Sequence, residues 1–265
     1  MAEIFNDPYS RANYRSLIAW PERLRREAPF LASILADAPD RSVADLGCGT
    51  GEHTRHLAEQ GFRAAGLDAS ESMIADARTP APPANATFTL GDIRDADTLL
   101  GADFGAAICL GNMLPSLRRD EDLDAALAAV FRTLLPGGVF LSQILNYEGL
   151  RARKARHLPI NFQRTGDGIG EPASETVFLR LLEWRDGGEV IFFPTTLRLT
   201  PDSESPVEVV RTRRVPLRAW TRMEILAALA RAGFGETQMF GGMERSAYRP
   251  LESSDLVVVA RKPAR

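Results

Sequence analysis

An open, doubly wound α/β sheet is the fold that this 265-residue sequence predicts. Three observations carry the expectation. Up to residue 146, short apolar runs alternate with amphipathic stretches, the β-α rhythm of a mostly parallel sheet with helices on both faces. Phe104-Gly105-Ala106-Ala107-Ile108-Cys109-Leu110 is apolar almost throughout, as a parallel strand buried on both faces must be. The run Val43-Ala44-Asp45-Leu46 ends in a turn with glycine at alternate positions, Gly47, Gly49 and Gly51. Such a turn lets a ligand lie against bare backbone at the carboxyl end of the sheet.

The elements follow in order. An amphipathic stretch over 11–36 is interrupted by Pro21 and Pro29, so two helical pieces are expected, with Pro21 in a first turn. The first strand covers 42–46. A helix over 51–60 stops at Gly61. The second strand is 63–67, and Ser70 caps the next helix. Residues 86–90 form the third strand and 104–110 the fourth. A helix over 121–135 ends at Pro136-Gly137-Gly138, before a fifth strand over 139–145. Beyond Asn146 the rhythm changes. Three alternating runs at 176–184, 189–199 and 207–217, separated by Asp186-Gly187-Gly188 and Pro201-Asp202-Ser203, predict an antiparallel β-meander inserted after strand five. A helix over 222–232 and a core strand over 254–260 close the chain.

This order divides the chain into an N-terminal helical lid (1–40), a core (41–146 and 220–265) and a β insertion (147–219) placed to cover a substrate. With 45% hydrophobic residues the sequence fills a core, and a net charge of −3 argues against a general nucleic-acid binder. Cys48 and Cys109 lack metal-ligand neighbours in sequence, so no metal is expected and a reduced compartment is. The N-terminus has no signal-peptide pattern, and no apolar run reaches the ~18 residues of a membrane helix. A cytoplasmic protein without membrane contact, monomeric or homo-oligomeric, is expected. The basic run Arg151-Ala152-Arg153-Lys154-Ala155-Arg156 reads as a solvated face.

The strand–turn–helix–strand unit points to a nucleotide-type cofactor, because Asp68, closing the second strand, is placed to accept from ribose hydroxyls. A dinucleotide site asks for a third glycine where Glu52 stands, and a carboxylate there repels a pyrophosphate. Asp45, two residues before the first glycine, suits a ligand carrying an ammonium group. The pattern Asp45-x-Gly47-x-Gly49-x-Gly51 followed by Asp68 resembles motif I of class I S-adenosylmethionine (SAM) methyltransferases. The resemblance extends further. The segment 108–117, Leu134-Leu135-Pro136-Gly137-Gly138 and Leu145-Asn146-Tyr147-Glu148-Gly149-Leu150 look like segments of the glycine/sarcosine N-methyltransferase relatives, as 243–250 does more weakly.

That resemblance implies a Rossmann-like, seven-stranded sheet, SAM as cofactor and S-adenosylhomocysteine as product. It assigns Asp45, Gly47, Gly49 and Gly51 to the methionine part and its turn, and Asp68 to the ribose. Met73, Asp92 and Ile93 fall at the adenine, Leu110 by the sulfonium, and Arg23 at the cofactor carboxylate, where a guanidinium fits. The glycine-specific relatives carry an arginine just before the asparagine–tyrosine pair, and this chain has Leu145, which cannot bind a carboxylate. Arg151 or a cation of the insertion is the substitute the sequence offers.

The implied reaction moves a methyl group to a small molecule, an amine nitrogen before others, by in-line displacement. Asn112 and Tyr147 are the candidates for orienting the acceptor, and His157 is the base should the acceptor be a hydroxyl. His53 and His56 read as solvated helix residues. Tyr9, Tyr14 and Trp20 are candidates for a closing lid. Two other classes fit less well: a non-catalytic SAM-binding protein, and a nicotinamide oxidoreductase, which Glu52 disfavours.

Overall fold

The computed structural model describes residues 15, 18–165 and 174–264. The expected lid aromatics Tyr9 and Tyr14 lie outside them. The chain forms two compact units, residues 1–149 with 220–265, and residues 150–219.

The larger unit begins with α1 (Trp20–Leu35), β1 (Ser42–Leu46), α2 (Glu52–Glu59), β2 (Arg63–Asp68), α3 (Glu71–Ala77) and β3 (Ala86–Leu90). It continues through α4 (Ala96–Leu100), β4 (Phe104–Cys109), α5 (Asp120–Thr133) and β5 (Leu134–Leu145), and α6 (Tyr147–Ala152) leads out of it. The chain returns as α7 (Arg222–Ala232), β11 (Thr237–Phe240) and β12 (Asp255–Arg261). These strands form one seven-stranded sheet, ordered β11-β12-β5-β4-β1-β2-β3. Among these strands β12 alone runs against the direction of the other six, so the sheet is the mostly parallel, doubly wound one that the sequence predicts. Its order reverses between β1 and β4, and the crevice at such a reversal is where open α/β sheets bind ligands.

Local chemistry places the helices as the sequence announces. The Ser70 hydroxyl accepts from the Met73 N–H at 3.2 Å, capping α3. Thr221 and Glu224 form a capping box on α7, which ends at Gly233 in the left-handed region. Each such cap stabilises its helix by about 1 kcal/mol. β1 and β4 are buried at every position, the signature of central parallel strands.

Three expectations need correction. Pro29 does not split the N-terminal helix: α1 is continuous across it. The lost backbone hydrogen bond is offset by the buried stripe Phe30, Leu31, Ile34 and Leu35, each worth roughly 1.5–3 kcal/mol when fully buried. Pro136-Gly137-Gly138 is not a turn before β5 but an irregularity within it. Phe104 pairs with Leu134 and Ala106 with Val139, and the Gly137 N–H is satisfied by the Lys262 carbonyl at 3.1 Å.

Among its described residues the insertion holds five strands rather than three: β6 (Asn161–Thr165), β7 (Ser174–Trp184), β8 (Glu189–Leu199), β9 (Val207–Thr212) and β10 (Val215–Arg218). The third expected run is broken into β9 and β10, which pair with successive stretches of β8. The break lies opposite Pro194, which has no N–H to give the ladder; only its carbonyl is used, by the Arg213 N–H at 3.2 Å.

Candidate functional site

The glycine turn after β1 is fastened to the end of β2. The Leu67 carbonyl accepts from the N–H groups of Gly47 (2.7 Å) and Cys48 (3.1 Å). Asp68 receives the Gly49 N–H on Oδ2 at 2.8 Å and the Ser70 N–H on Oδ1 at 2.9 Å. Both carboxylate oxygens of Asp68 thus hold the turn. Two of the glycines do different work. Gly49 has φ 55°, and a Cβ there would meet no atom within 4 Å, so its face is open. Gly51 has φ 83°, and a Cβ there would lie 2.6 Å from the Phe88 ring. Gly49 exposes backbone to a ligand; Gly51 allows close packing under the turn. Met113 covers Gly47 from the far side of the crevice, 2.5 Å from where a Cβ would sit.

Glu52, at the start of α2, is paired with Arg15 at 2.5 Å. Arg15 also donates to the Thr50, Asp76 and Thr79 carbonyls. The charge of Glu52 is thereby largely spent, so its bulk rather than its repulsion is what separates this turn from a dinucleotide one.

A polar cluster lies under the turn, on the face that carries α1. Asp45 is buried and accepts from the Thr54 hydroxyl at 2.7 Å. Glu27, on α1, is buried too; it accepts from Arg23 Nε at 3.0 Å and pairs with His53 Nε2 at 2.8 Å. Burial pushes the Glu27 carboxyl up, but the His53 hydrogen bond and the Arg23 charge together hold it below its usual range. The Arg23 guanidinium stacks 4.9 Å above the Trp20 ring, and Trp20 meets His53 edge to face at 5.4 Å. His53 is therefore not the solvated helix residue that the sequence predicts. It is 5% exposed, because α2 turns His53, Thr54, Leu57 and Ala58 onto one buried face. His56 is half-buried. The Trp20 indole N–H is buried with no partner among the described residues.

Burial also raises the Asp45 carboxyl above its ordinary value, with His53, Thr54 and Arg23 pulling it partly back. A carboxyl so raised stabilises the fold at pH below its unfolded value near 3.9, and that contribution is lost as pH rises through the folded value. As pH rises above the unfolded value, this unfavourable burial of the carboxylate is thus a growing net cost to the ligand-free fold. Asp45→Asn, which still accepts from Thr54, is expected to raise the melting temperature at pH 7 and not at pH 3. A variant that melts lower at both values would show that burial of the charge is not the dominant effect.

At the ends of β4 and β5, Asn112 adopts φ 68°, a conformation asparagine tolerates better than most residues. Its side chain accepts the Leu145 N–H at 2.9 Å and donates to the Tyr147 hydroxyl at 2.9 Å. Burial keeps the Tyr147 phenol well above its ordinary range, against the pull of Asn112, so Tyr147 stays protonated and is no base. Gln143 ties this edge together, accepting from the Gly111 N–H and donating to Asp255, each at 2.9 Å.

The structure thus brings Asn112 and Tyr147 together at the carboxyl edge. His157 belongs to the other unit, where it is exposed and its Nδ1 lies 3.1 Å from the Leu158 carbonyl. Arg151 is exposed as well. Met73, Ile93 and Leu110 are buried. Asp92 accepts from Arg94 on each oxygen, at 3.0 and 2.7 Å; burial pushes its carboxyl up, and the Arg94 pairing outweighs it and holds the carboxyl below its usual range. Among the described residues no group of three or more His, Cys, Asp or Glu is placed to hold a metal. No described helix is long and apolar enough to cross a membrane.

Comparison with known proteins shows what the chain resembles. Residues 43–138 match the family described as a methyltransferase domain. A glycine/sarcosine N-methyltransferase of Parasynechococcus marenigrum is 32% identical over 150 residues, 56% of this chain and 51% of that protein. The Streptomyces venezuelae dTDP-3-amino-3,4,6-trideoxy-alpha-D-glucopyranose N,N-dimethyltransferase is 39% identical over 98 residues, 37% of this chain and 40% of that one. The chain thus spans about half the length of the curated relatives it matches. Among solved structures, DesVI of Streptomyces venezuelae superposes with a TM-score of 0.70 at 24% identity, covering 95% of this chain and 97% of that one.

Proposed function

We propose that this chain, whose residues 43–138 match the family described as a methyltransferase domain, binds SAM and methylates an amine nitrogen of a small molecule. One observation carries the reading. At the crevice between β1 and β4, a cation, Arg23, and a buried carboxyl group, Asp45, flank a glycine turn whose face at Gly49 is open. A zwitterionic amino-acid end matches that pair, ammonium to Asp45 and carboxylate to Arg23. The buried Trp20 N–H beside them, which has no partner among the described residues, is a further donor. Asp68 takes the ribose, and Met73, Asp92 and Ile93 take the adenine, with Asp92 accepting from the adenine amino group outside its Arg94 pair. Leu110 borders the sulfur.

SAM supplies a methyl group already activated on a cationic sulfur. The protein's part is to align the acceptor and keep water out. Asn112 and Tyr147 hold the acceptor, and a neutral amine lone pair needs no strong base. The amine class is supported by the curated relatives, which act on glycine and sarcosine or on amino sugars by name. Leu145 favours an acceptor without a carboxylate. His157 would serve as base only for a hydroxyl acceptor.

The test is methyl transfer from SAM to an amino-sugar nucleotide, sarcosine, glycine and a simple phenol, followed by mass spectrometry. Methylation of the amino sugar and not of glycine is expected. Turnover of the phenol alone would overturn the amine assignment, and absence of SAM binding would overturn the whole reading.

A further inference from the structure

Arg23 is held in an unusual way for a residue near a helix start. Its Nε donates to Glu27 one turn along α1, and its plane is stacked on Trp20. No hydrogen bond to either terminal nitrogen is found among the described residues. One of those nitrogens, Nη2, points to the turn after β4, 3.8 Å from where a Cβ on Gly111 would be. Glu27 is in turn fixed from its other oxygen by His53, on the helix that the glycine turn starts. The guanidinium is therefore pinned through Nε and its face, and presents its Nη edge to the β1–β4 crevice.

We propose that Glu27 and His53 are positioning residues that hold Arg23 in register for the carboxylate of the bound cofactor, an inference that rests on the SAM reading above. The physical reason is entropic and geometric. A free arginine side chain loses rotamer freedom on being fixed, and the buried Glu27–His53 pair fixes it before the ligand arrives. A fork that is pre-aimed makes two parallel hydrogen bonds to a carboxylate, where a mobile one makes them only after ordering. The arrangement also couples the two halves of the amino-acid pocket. α2 supplies Thr54 to Asp45 and His53 to Glu27, so adjacent residues of one helix steady the ammonium ligand and, through Glu27, the carboxylate ligand.

The test compares two probes by calorimetry: S-adenosylhomocysteine, and 5′-methylthioadenosine, which keeps the nucleoside and thioether but lacks the amino-acid end. Glu27→Gln keeps the shape and removes the charge. It is expected to weaken homocysteine-ligand binding about tenfold while leaving the methylthioadenosine affinity within about twofold. In an Arg23→Ala background, the same Glu27→Gln change is expected to cost less than about twofold, because the residue it acts through is gone. Equal weakening of both probes, or the same cost with and without Arg23, would mean that Glu27 merely stabilises the fold and would overturn the proposal. Should Glu27→Gln lose its cooperative melt, His53→Phe, which keeps a ring beside Trp20 and removes the second partner of Glu27, takes its place: the same two outcomes support or overturn the proposal. Failure of the unsubstituted protein to bind S-adenosylhomocysteine would instead overturn the cofactor reading, before any variant is made.

Discussion

Asp68→Ala is expected to lower the affinity for S-adenosylhomocysteine by about 100-fold or more, since two charge-assisted hydrogen bonds of roughly 1.5–3 kcal/mol each are lost. The same substitution removes the acceptor of the Gly49 and Ser70 N–H groups. That second loss destabilises the ligand-free protein by about 1–3 kcal/mol, or roughly 2–12 °C in melting temperature for a chain of this size. The two effects separate by measurement. Thermal melts without ligand report the turn, and calorimetry below the melting range reports the ribose contacts. Asp68→Asn is no rescue, because its amide NH2 must face one of the two backbone N–H donors. An alanine variant that melts lower and yet binds with unchanged affinity would show that Asp68 serves the turn alone.

How much of this is legible in the sequence depends on whether a residue's role is set by its neighbours in the chain or by those in space. The order β1–α2–β2, the glycine turn, the Ser70 cap and the α7 boundaries are local, and spacing alone announces them. The split of the third meander run is not local. It depends on Pro194 of the neighbouring strand facing the gap. Pro29 misleads for the same reason: a local rule breaks the helix, and burial of Phe30, Leu31 and Ile34 against the sheet restores it.

The polar cluster lies between these cases. Glu27 falls at the start of the stripe Phe30, Leu31 and Ile34, three, four and seven residues on, and His53 stands four residues before buried Leu57. A charged or polar side chain spaced with an apolar stripe is the one signal that sequence offers here, and it is too weak to set against the solvated reading of His53. The partnership of Glu27 and His53 is not in the sequence, because only the fold brings α1 and α2 side by side. Met113 over Gly47 and Gln143 between Gly111 and Asp255 carry no sequence signal at all; they meet only because β4 and β5 end together.

Gly49→Ala and Gly51→Ala, two residues apart in one turn, are expected to fail in different ways. Both positions lie in the left-handed region, so each alanine costs about 1–2 kcal/mol of backbone strain. At Gly51 the new methyl also meets the Phe88 ring and the Ala77 side chain, and overpacking adds about 1–3 kcal/mol. The sum, roughly 2–5 kcal/mol, lowers the melting temperature by about 4–20 °C. Well below its melting point, however, the Gly51 variant keeps the open face at Gly49, and its affinity for S-adenosylhomocysteine changes little. At Gly49 the methyl meets nothing in the protein, so the melt falls by only about 2–8 °C, the backbone strain alone. The methyl instead occupies the space against which the ligand lies, and a displacement of about 1 Å is enough to cost turnover about 100-fold. Melting curves and calorimetry on the two variants decide the matter. If Gly49→Ala binds as the unsubstituted protein does, no ligand lies against that face, and the open side of the turn has some other use.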